Sequence, residues 1–379
     1  MKKIRFNEPY LTGNELKFIK DVFKQNHFYG VGKYTRKCEE LISKNIGNNN
    51  VLLTDSCTSA LEIAALIIKE NVSDEVIMPS YTFTSTASAF VKAGFKVRFV
   101  DIDPYTAMLD PEKIESQINK NTRAIVVVHY AGNIAEIKKI KKLCEKHSLL
   151  LVEDAAQGYN SFLEGNAVGN LGDFGCYSFH ETKNIHAGLS GALVVKRNKD
   201  YKRAMYIRER GTNRNDVIKG LSKKYSWVEV GGSFYPTELQ SAFLFAQLKE
   251  LKKNTNYRKK LFNYYTILLE ELLSQNKIFY NKIKKNQISN YHAFFIITNT
   301  NKDNKELIKY LLNYKIYAYI GYVPLHSSLI GKKLGNKKSH LPNTVRISRQ
   351  LLRLPLHNNM SLNDVKLVSE KIKNFYKEK

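Results

Sequence analysis

Leu149-Leu150-Leu151-Val152-Glu153-Asp154-Ala155-Ala156-Gln157-Gly158 runs from consecutive apolar residues straight into an acidic pair and a small-residue turn. A short apolar run ended by carboxylates is the pattern of a strand buried on both faces of a parallel sheet. Working outward, Ala124-Ile125-Val126-Val127-Val128 is a second such run, and Glu75-Val76-Ile77-Met78, stopped by Pro79, is a third. Lys96-Val97-Arg98-Phe99-Val100 alternates as a strand does, while Val51-Leu52-Leu53 and Gly191-Ala192-Leu193-Val194-Val195 bound the region. Amphipathic stretches between these runs, including Ala60-Leu61-Glu62-Ile63-Ala64-Ala65-Leu66, supply helices. The alternation predicts an α/β unit on a mostly parallel sheet flanked by helices.

The pattern changes near residue 245. Lysine-rich helical stretches (248–273) precede a strand-like run, Ala293-Phe294-Phe295-Ile296-Ile297, then a helix over 305–312 and a terminal helix over 362–375. The chain therefore divides into a large unit, 1–245, and a smaller α+β unit, 246–379.

Composition excludes several classes. The 379 residues are 43% hydrophobic, enough for a sizeable core. No apolar run reaches the roughly 18 residues of a membrane span. Met1-Lys2-Lys3-Ile4 has no apolar stretch behind it and is not a secretory signal, so a cytoplasmic protein is expected. Cys38, Cys57, Cys144 and Cys176 lack metal-ligand spacing and are expected to be thiols, with Cys176 in the core. The net charge of +25 raises the question of nucleic acid. The lysines are scattered, however, and no recognition motif accompanies them, so no nucleic-acid partner is expected. A basic surface still steers an anionic substrate inward. Gly30-Val31-Gly32 lacks the third glycine of a dinucleotide fingerprint.

Three segments carry chemistry together. Thr54-Asp55-Ser56-Cys57-Thr58-Ser59-Ala60 lies between a strand and a helix, where small hydroxyl residues serve either as an N-cap or as a phosphate site. Glu153-Asp154 sits at the C-terminal end of a parallel strand, where such sheets place ligands; alone, it is equally a solvated loop. Lys183 follows Tyr177-Ser178-Phe179-His180-Glu181-Thr182 and precedes a glycine-containing turn, Ala187-Gly188-Leu189-Ser190-Gly191. A lysine fixed in such a turn can act as nucleophile and proton carrier, although most lysines are solvated surface.

In this order and spacing, Asp154-Ala155-Ala156-Gln157, Ser178-Phe179 and Lys183 resemble the fold-type-I pyridoxal-phosphate (PLP) aminotransferases that act on nucleotide-linked sugars. The resemblance spans essentially the whole chain and includes Met78-Pro79-Ser80-Tyr81-Thr82-Phe83, Val128-His129-Tyr130-Ala131-Gly132, Glu238-Leu239-Gln240 and Leu354-Pro355-Leu356. Within that family, Leu53-Thr54-Asp55-Ser56-Cys57-Thr58 and Ser178 through Asn184 are most similar to dTDP-4-amino-4,6-dideoxygalactose transaminases of lipopolysaccharide and O-antigen biosynthesis. Those enzymes use L-glutamate and dTDP-4-dehydro-6-deoxyglucose. The same machinery also fits action at C3, a GDP- or UDP-linked sugar, or the gluco epimer.

The resemblance implies a seven-stranded sheet in the large unit, and a Lys183 that binds PLP covalently and moves the proton. Asp154 would pair with the ring nitrogen, Gln157 would lie by the phenolic oxygen and Phe83 would stack on the ring. Cys57 and Thr58 amides with the Ser178 hydroxyl would take the phosphate. The family builds its site between two copies, so a homodimer is implied. Ser233, in Gly231-Gly232-Ser233-Phe234-Tyr235, stands where many relatives carry an asparagine that reaches the partner's phosphate. Tyr322 and His326 resemble a loop near the sugar, although packing roles fit them equally. His180 and His186 flank the lysine, and His129 ends a strand at the active edge.

Overall fold

The computed structural model describes residues 2–280, 282–334 and 341–379. Fourteen strands occur among the described residues: β1 (Val51–Thr54), β2 (Glu75–Pro79), β3 (Lys96–Val100), β4 (Thr122–Val128), β5 (Leu150–Asp154), β6 (Phe162–Leu163), β7 (Asn166–Ala167), β8 (Phe174–Ser178), β9 (Gly191–Val195), β10 (Ile278–Phe279), β11 (Gln287–Ile288), β12 (Phe294–Thr298), β13 (Tyr319–Ile320) and β14 (Leu351–Leu354). Seven form the main sheet, in the order β1-β9-β8-β5-β4-β2-β3. Strands β3, β2, β4, β5 and β8 are mutually parallel, and only β9 runs against its neighbours β8 and β1. The expected mostly parallel seven-stranded sheet is what forms. No helix among the described residues is long and apolar enough to cross a membrane.

Side-chain alternation splits the strands between two apolar layers. Val51 and Leu53 join one buried cluster, while Leu52 joins the other. The helix Cys57–Ile68 is apolar nearly all round and is buried against the second face. Strand β8 is not evident from the sequence pattern, because glycine weakens a strand signal. Here Gly175 is obligatory, since a Cβ there would sit 1.8 Å from the Gly169 carbonyl oxygen.

The helical stretches expected over 248–273 are the end of helix Glu238–Lys249 and the helix Leu251–Ser274, with a break at Glu250. The first packs with Glu15–Gln25 and Lys33–Ile46; the second packs with Leu362–Lys377 beside the antiparallel sheet β10-β12-β14-β13. Ile4 belongs to this second core, through a parallel bridge to Ile316 and a hydrogen bond that its amide donates to the Lys315 carbonyl (3.0 Å). The N-terminal segment thus packs with residues beyond 245.

Candidate active site

The C-terminal ends of β1, β4, β5 and β8 open on one cavity of about 520 Å³, a size suited to a small ligand. Cys57, Thr58, Phe83, Asp154, Gln157, Ser178, Lys183 and Tyr322 all line it. At one end is the start of helix Cys57–Ile68. Ser56 caps it by accepting the Ser59 amide (3.1 Å), and Thr54 Oγ1 donates to the Ser56 carbonyl (2.7 Å). The Cys57 and Thr58 amides have no acceptor among the described residues, as expected for the first positions of a helix. Such amides at a positive helix end favour a phosphate. The Thr58 hydroxyl donates to Ser85 Oγ (2.8 Å), and Ser178 lines the same cavity, its Oγ accepting the His180 amide (3.4 Å).

Gly191 fixes how closely β9 passes this helix start. A Cβ on it would lie 2.4 Å from the Cys57 nitrogen and 2.4 Å from the Ser56 carbonyl carbon. Gly191→Ala is expected to displace the helix start and weaken PLP affinity by about 10-fold or more, roughly one lost charge-assisted hydrogen bond. Titration of the apoprotein with PLP, followed by its absorbance, checks this; unchanged affinity would remove the amides from the phosphate site.

At the other end Asp154 is buried. Its Oδ2 accepts from Thr86 Oγ1 (2.6 Å) and its Oδ1 from the Ala156 amide (3.1 Å). Burial raises its pKa, against the opposing pull of these hydrogen bonds and of Lys183. The neighbouring Glu153 points away from the cavity and accepts from the Gly169, Leu171 and Gly172 amides (2.8, 2.7 and 2.6 Å). It also meets His129 Nε2 at 3.0 Å, while His129 Nδ1 accepts the Ala135 amide (3.2 Å). His129 therefore donates through Nε2 and braces the strand ends.

Lys183 Nζ makes no hydrogen bond or ion pair among the described residues. Burial lowers its pKa, opposed by Cys57 and Asp154 and aided by the Arg353 charge, which favours the neutral, nucleophilic amine. The backbone around it is tied down. The Lys183 amide donates to the His180 carbonyl (2.8 Å), and Asn184 Nδ2 donates to the Asn290 carbonyl (2.7 Å). Asn184 Oδ1 meets His292 Nδ1 at 3.0 Å. His180 lines the cavity with Nδ1 against Thr182 Oγ1 (3.0 Å). His186 is buried, its Nε2 meeting the Tyr10 carbonyl (2.9 Å), and serves packing.

Residues beyond 245, among them His292, Tyr322 and Arg353, also wall the cavity. Gln157 is held at both ends, its Oε1 accepting the Ala131 amide (2.7 Å) and its Nε2 donating to Tyr322 Oη (2.6 Å). Tyr322 thus positions Gln157 as well as lining the cavity. His326, expected near the sugar, is fully buried and does not line this cavity. Its Nδ1 meets Ser80 Oγ (2.6 Å), and its amide donates to the same oxygen (3.0 Å), which pins the loop carrying Tyr322 to the end of β2. Ser233 is exposed and lies outside this cavity. Phe6, His292 and Arg353, which no sequence motif marks, also line it.

The donor set fits PLP. Unpartnered helix amides suit its phosphate, a buried carboxylate suits its protonated ring nitrogen, and an unpaired amine in the same cavity suits covalent attachment. Phe83, 58% exposed on the cavity wall, is free to cover a ring.

Comparison with known proteins agrees with this chemistry. A family model described as the DegT/DnrJ/EryC1/StrS aminotransferase family matches residues 9–373. A UDP-4-amino-4,6-dideoxy-N-acetyl-beta-L-altrosamine transaminase of Campylobacter jejuni is 30% identical over 347 residues, 89% of each chain. A dTDP-4-dehydro-2,3,6-trideoxy-D-glucose 4-aminotransferase of Saccharopolyspora spinosa is 25% identical, covering 97% of this chain and 95% of its own. The PMP-form of Spr1654 from Streptococcus pneumoniae has the same fold, with TM-score 0.92 at 22% identity over 99% of both chains.

Proposed function

The chain belongs to the DegT/DnrJ/EryC1/StrS aminotransferase family and is a PLP-dependent nucleotide-sugar aminotransferase, and on that premise we propose its substrates. It transfers the amino group of L-glutamate to C4 of dTDP-4-dehydro-6-deoxyglucose, giving dTDP-4-amino-4,6-dideoxygalactose. The observation that carries the chemistry is the unpaired Lys183 amine sharing one cavity with buried Asp154 and the Cys57 helix start. Support for C4 comes from the motifs around Cys57 and Lys183 and from relatives whose names carry a 4-amino sugar or a 4-aminotransferase.

The roles follow from the residues. Cys57 and Thr58 amides and the Ser178 hydroxyl would hold the phosphate, and Phe83 would cover the ring. Gln157, fixed by Ala131 and Tyr322, would lie by the phenolic oxygen. Asp154 would keep a proton at the ring nitrogen. When bound, the cofactor supplies an electron sink for the carbon losing its proton. Lys183 Nζ takes the proton from the donor's α-carbon and, in the second half of the cycle, gives one to the sugar carbon. The burial that lowers its pKa keeps this amine able to accept.

Adding L-glutamate to the PLP-loaded protein is expected to bleach its visible absorbance, and adding the dTDP-linked keto-sugar to restore it. NMR of the product then assigns the C4 configuration. Bleaching without restoration by this sugar keeps the enzyme class and moves the substrate to a GDP- or UDP-linked sugar or to C3. A glutamate response that never occurs overturns the reading.

The enzyme acts as a homodimer in this proposal. Support comes from Ile218, Leu221, Tyr225, Trp227 and Val230, each at least 58% exposed, in the segment leading to Ser233. An exposed apolar run of this kind marks an interface. Sedimentation should give a dimer and Trp227→Glu a monomer; a wild-type monomer overturns the assembly.

A further inference from the structure

The cavity holds a second cation that nothing in the cofactor chemistry uses. Arg353, on β14, reaches the cavity that contains Lys183, His292 and Tyr322. Its guanidinium lies 4.9 Å from the Phe6 ring centroid and 5.9 Å from that of Tyr322, so two aromatic faces hold it in place. One terminal nitrogen donates to the Ile320 carbonyl (3.3 Å). Its Nε is buried with no hydrogen-bond partner among the described residues, and no carboxylate there pairs with it. Among the described residues that line the cavity the one acidic side chain, Asp154, already accepts from Thr86 and Ala156. A guanidinium stays charged throughout the physiological range, and the buried Nε of this one is a donor left without an acceptor among the described residues.

From this unpaired fork we infer that Arg353 binds a carboxylate of a substrate close to the reacting amine, and that this carboxylate is the α-carboxylate of the amino donor. The inference rests on the aminotransferase reading and extends it to a residue. An α-amino acid carries its carboxylate one carbon from the nitrogen it gives up. A planar fork on the same cavity wall as Lys183 and His292 matches that group bidentately. The diphosphate of a nucleotide sugar is attached at C1, across the ring from a reacting C4, and so lies further from Lys183 than a donor carboxylate. A carboxylate on the sugar is the other source with the same chemistry, and the two half-reactions separate them.

The test follows each half-reaction of the holoenzyme by stopped-flow absorbance, for wild type, Arg353→Lys and Arg353→Met. Thermal melts and cofactor content establish that each variant is folded and loaded. The expected result is a rise in half-saturation for L-glutamate of about 30-fold or more in Arg353→Met, the scale of a lost charge-assisted pair, with the sugar half-reaction little changed. Arg353→Lys keeps the charge without the fork and is expected to lie between. Calorimetry supplies a readout independent of turnover: 2-oxoglutarate affinity should fall in parallel. Wild type should also prefer L-glutamine, which keeps the α-carboxylate, over the α-amide of glutamate, and Arg353→Met should lose that preference. If only the sugar half-saturation rises, the carboxylate belongs to the sugar and the donor assignment is overturned. Unchanged constants in both halves, with an intact wild-type response, overturn the assignment alone. Absence of any wild-type response to glutamate overturns the functional reading and this assignment together.

Discussion

Lys183→Met is expected to fold, to bind PLP without the covalently linked absorbance, and to turn over on the order of 10⁴-fold more slowly than wild type, the scale of losing a positioned proton carrier that is also the nucleophile. Methionine keeps the volume and removes the amine, so a loss of this size reports chemistry. Stability separates the catalytic role from a structural one. Burial lowers the Lys183 pKa, so below its ordinary value of 10.5 the unfolded chain binds more protons than the native one. Apoprotein stability contributed by this group therefore rises with pH across the window ending at 10.5. Apo Lys183→Met should lose that slope and melt higher than apo wild type at neutral pH, because a buried cationic site has been replaced by an apolar one. Lower stability at every pH, together with retained turnover, would make Lys183 a packing residue.

How far the site is legible in the sequence depends on how locally each residue is placed. Cys57, Asp154 and Ser178 lie at or just past the ends of β1, β5 and β8, so a strand followed by small or acidic residues is enough to locate them. Lys183 follows on the turn after β8 and is located by the same logic. Arg353 and His292 reach the cavity only because β12 and β14 pair, with Phe295 opposite Arg353, and the resulting sheet packs over the first unit. Such placement has a sequence separation no local pattern encodes, although a lone arginine between Leu352 and Leu354 is a signal. His326 misleads for the opposite reason. It is four residues from Tyr322, but the turn Leu325–Ser327 aims it at Ser80 and away from the cavity.

Asp154→Asn is the second large effect. Asparagine matches the carboxylate in shape: its Oδ1 can still accept the Ala156 amide, and the Thr86 hydroxyl can turn to accept from the new Nδ2. The fold should survive, while the negative charge that holds a proton at the ring nitrogen is gone. Turnover is expected to fall on the order of 10²- to 10³-fold, as when one preorganised electrostatic contact is removed. The pH dependence again runs the other way from a structural residue. Burial raises the Asp154 pKa above its ordinary 3.8, so across the window between those values the native apoprotein binds more protons than the unfolded chain. Stability from this group is therefore full below 3.8 and is lost as pH rises through the folded value. Asp154→Asn removes the penalty, so its apoprotein should melt above wild type at neutral pH, with the gap closing as the pH falls below about 4. Melting curves of the two apoproteins across that range, beside steady-state turnover, check both halves. A variant less stable at every pH yet still active would show that Asp154 braces the end of β5 and holds no cofactor.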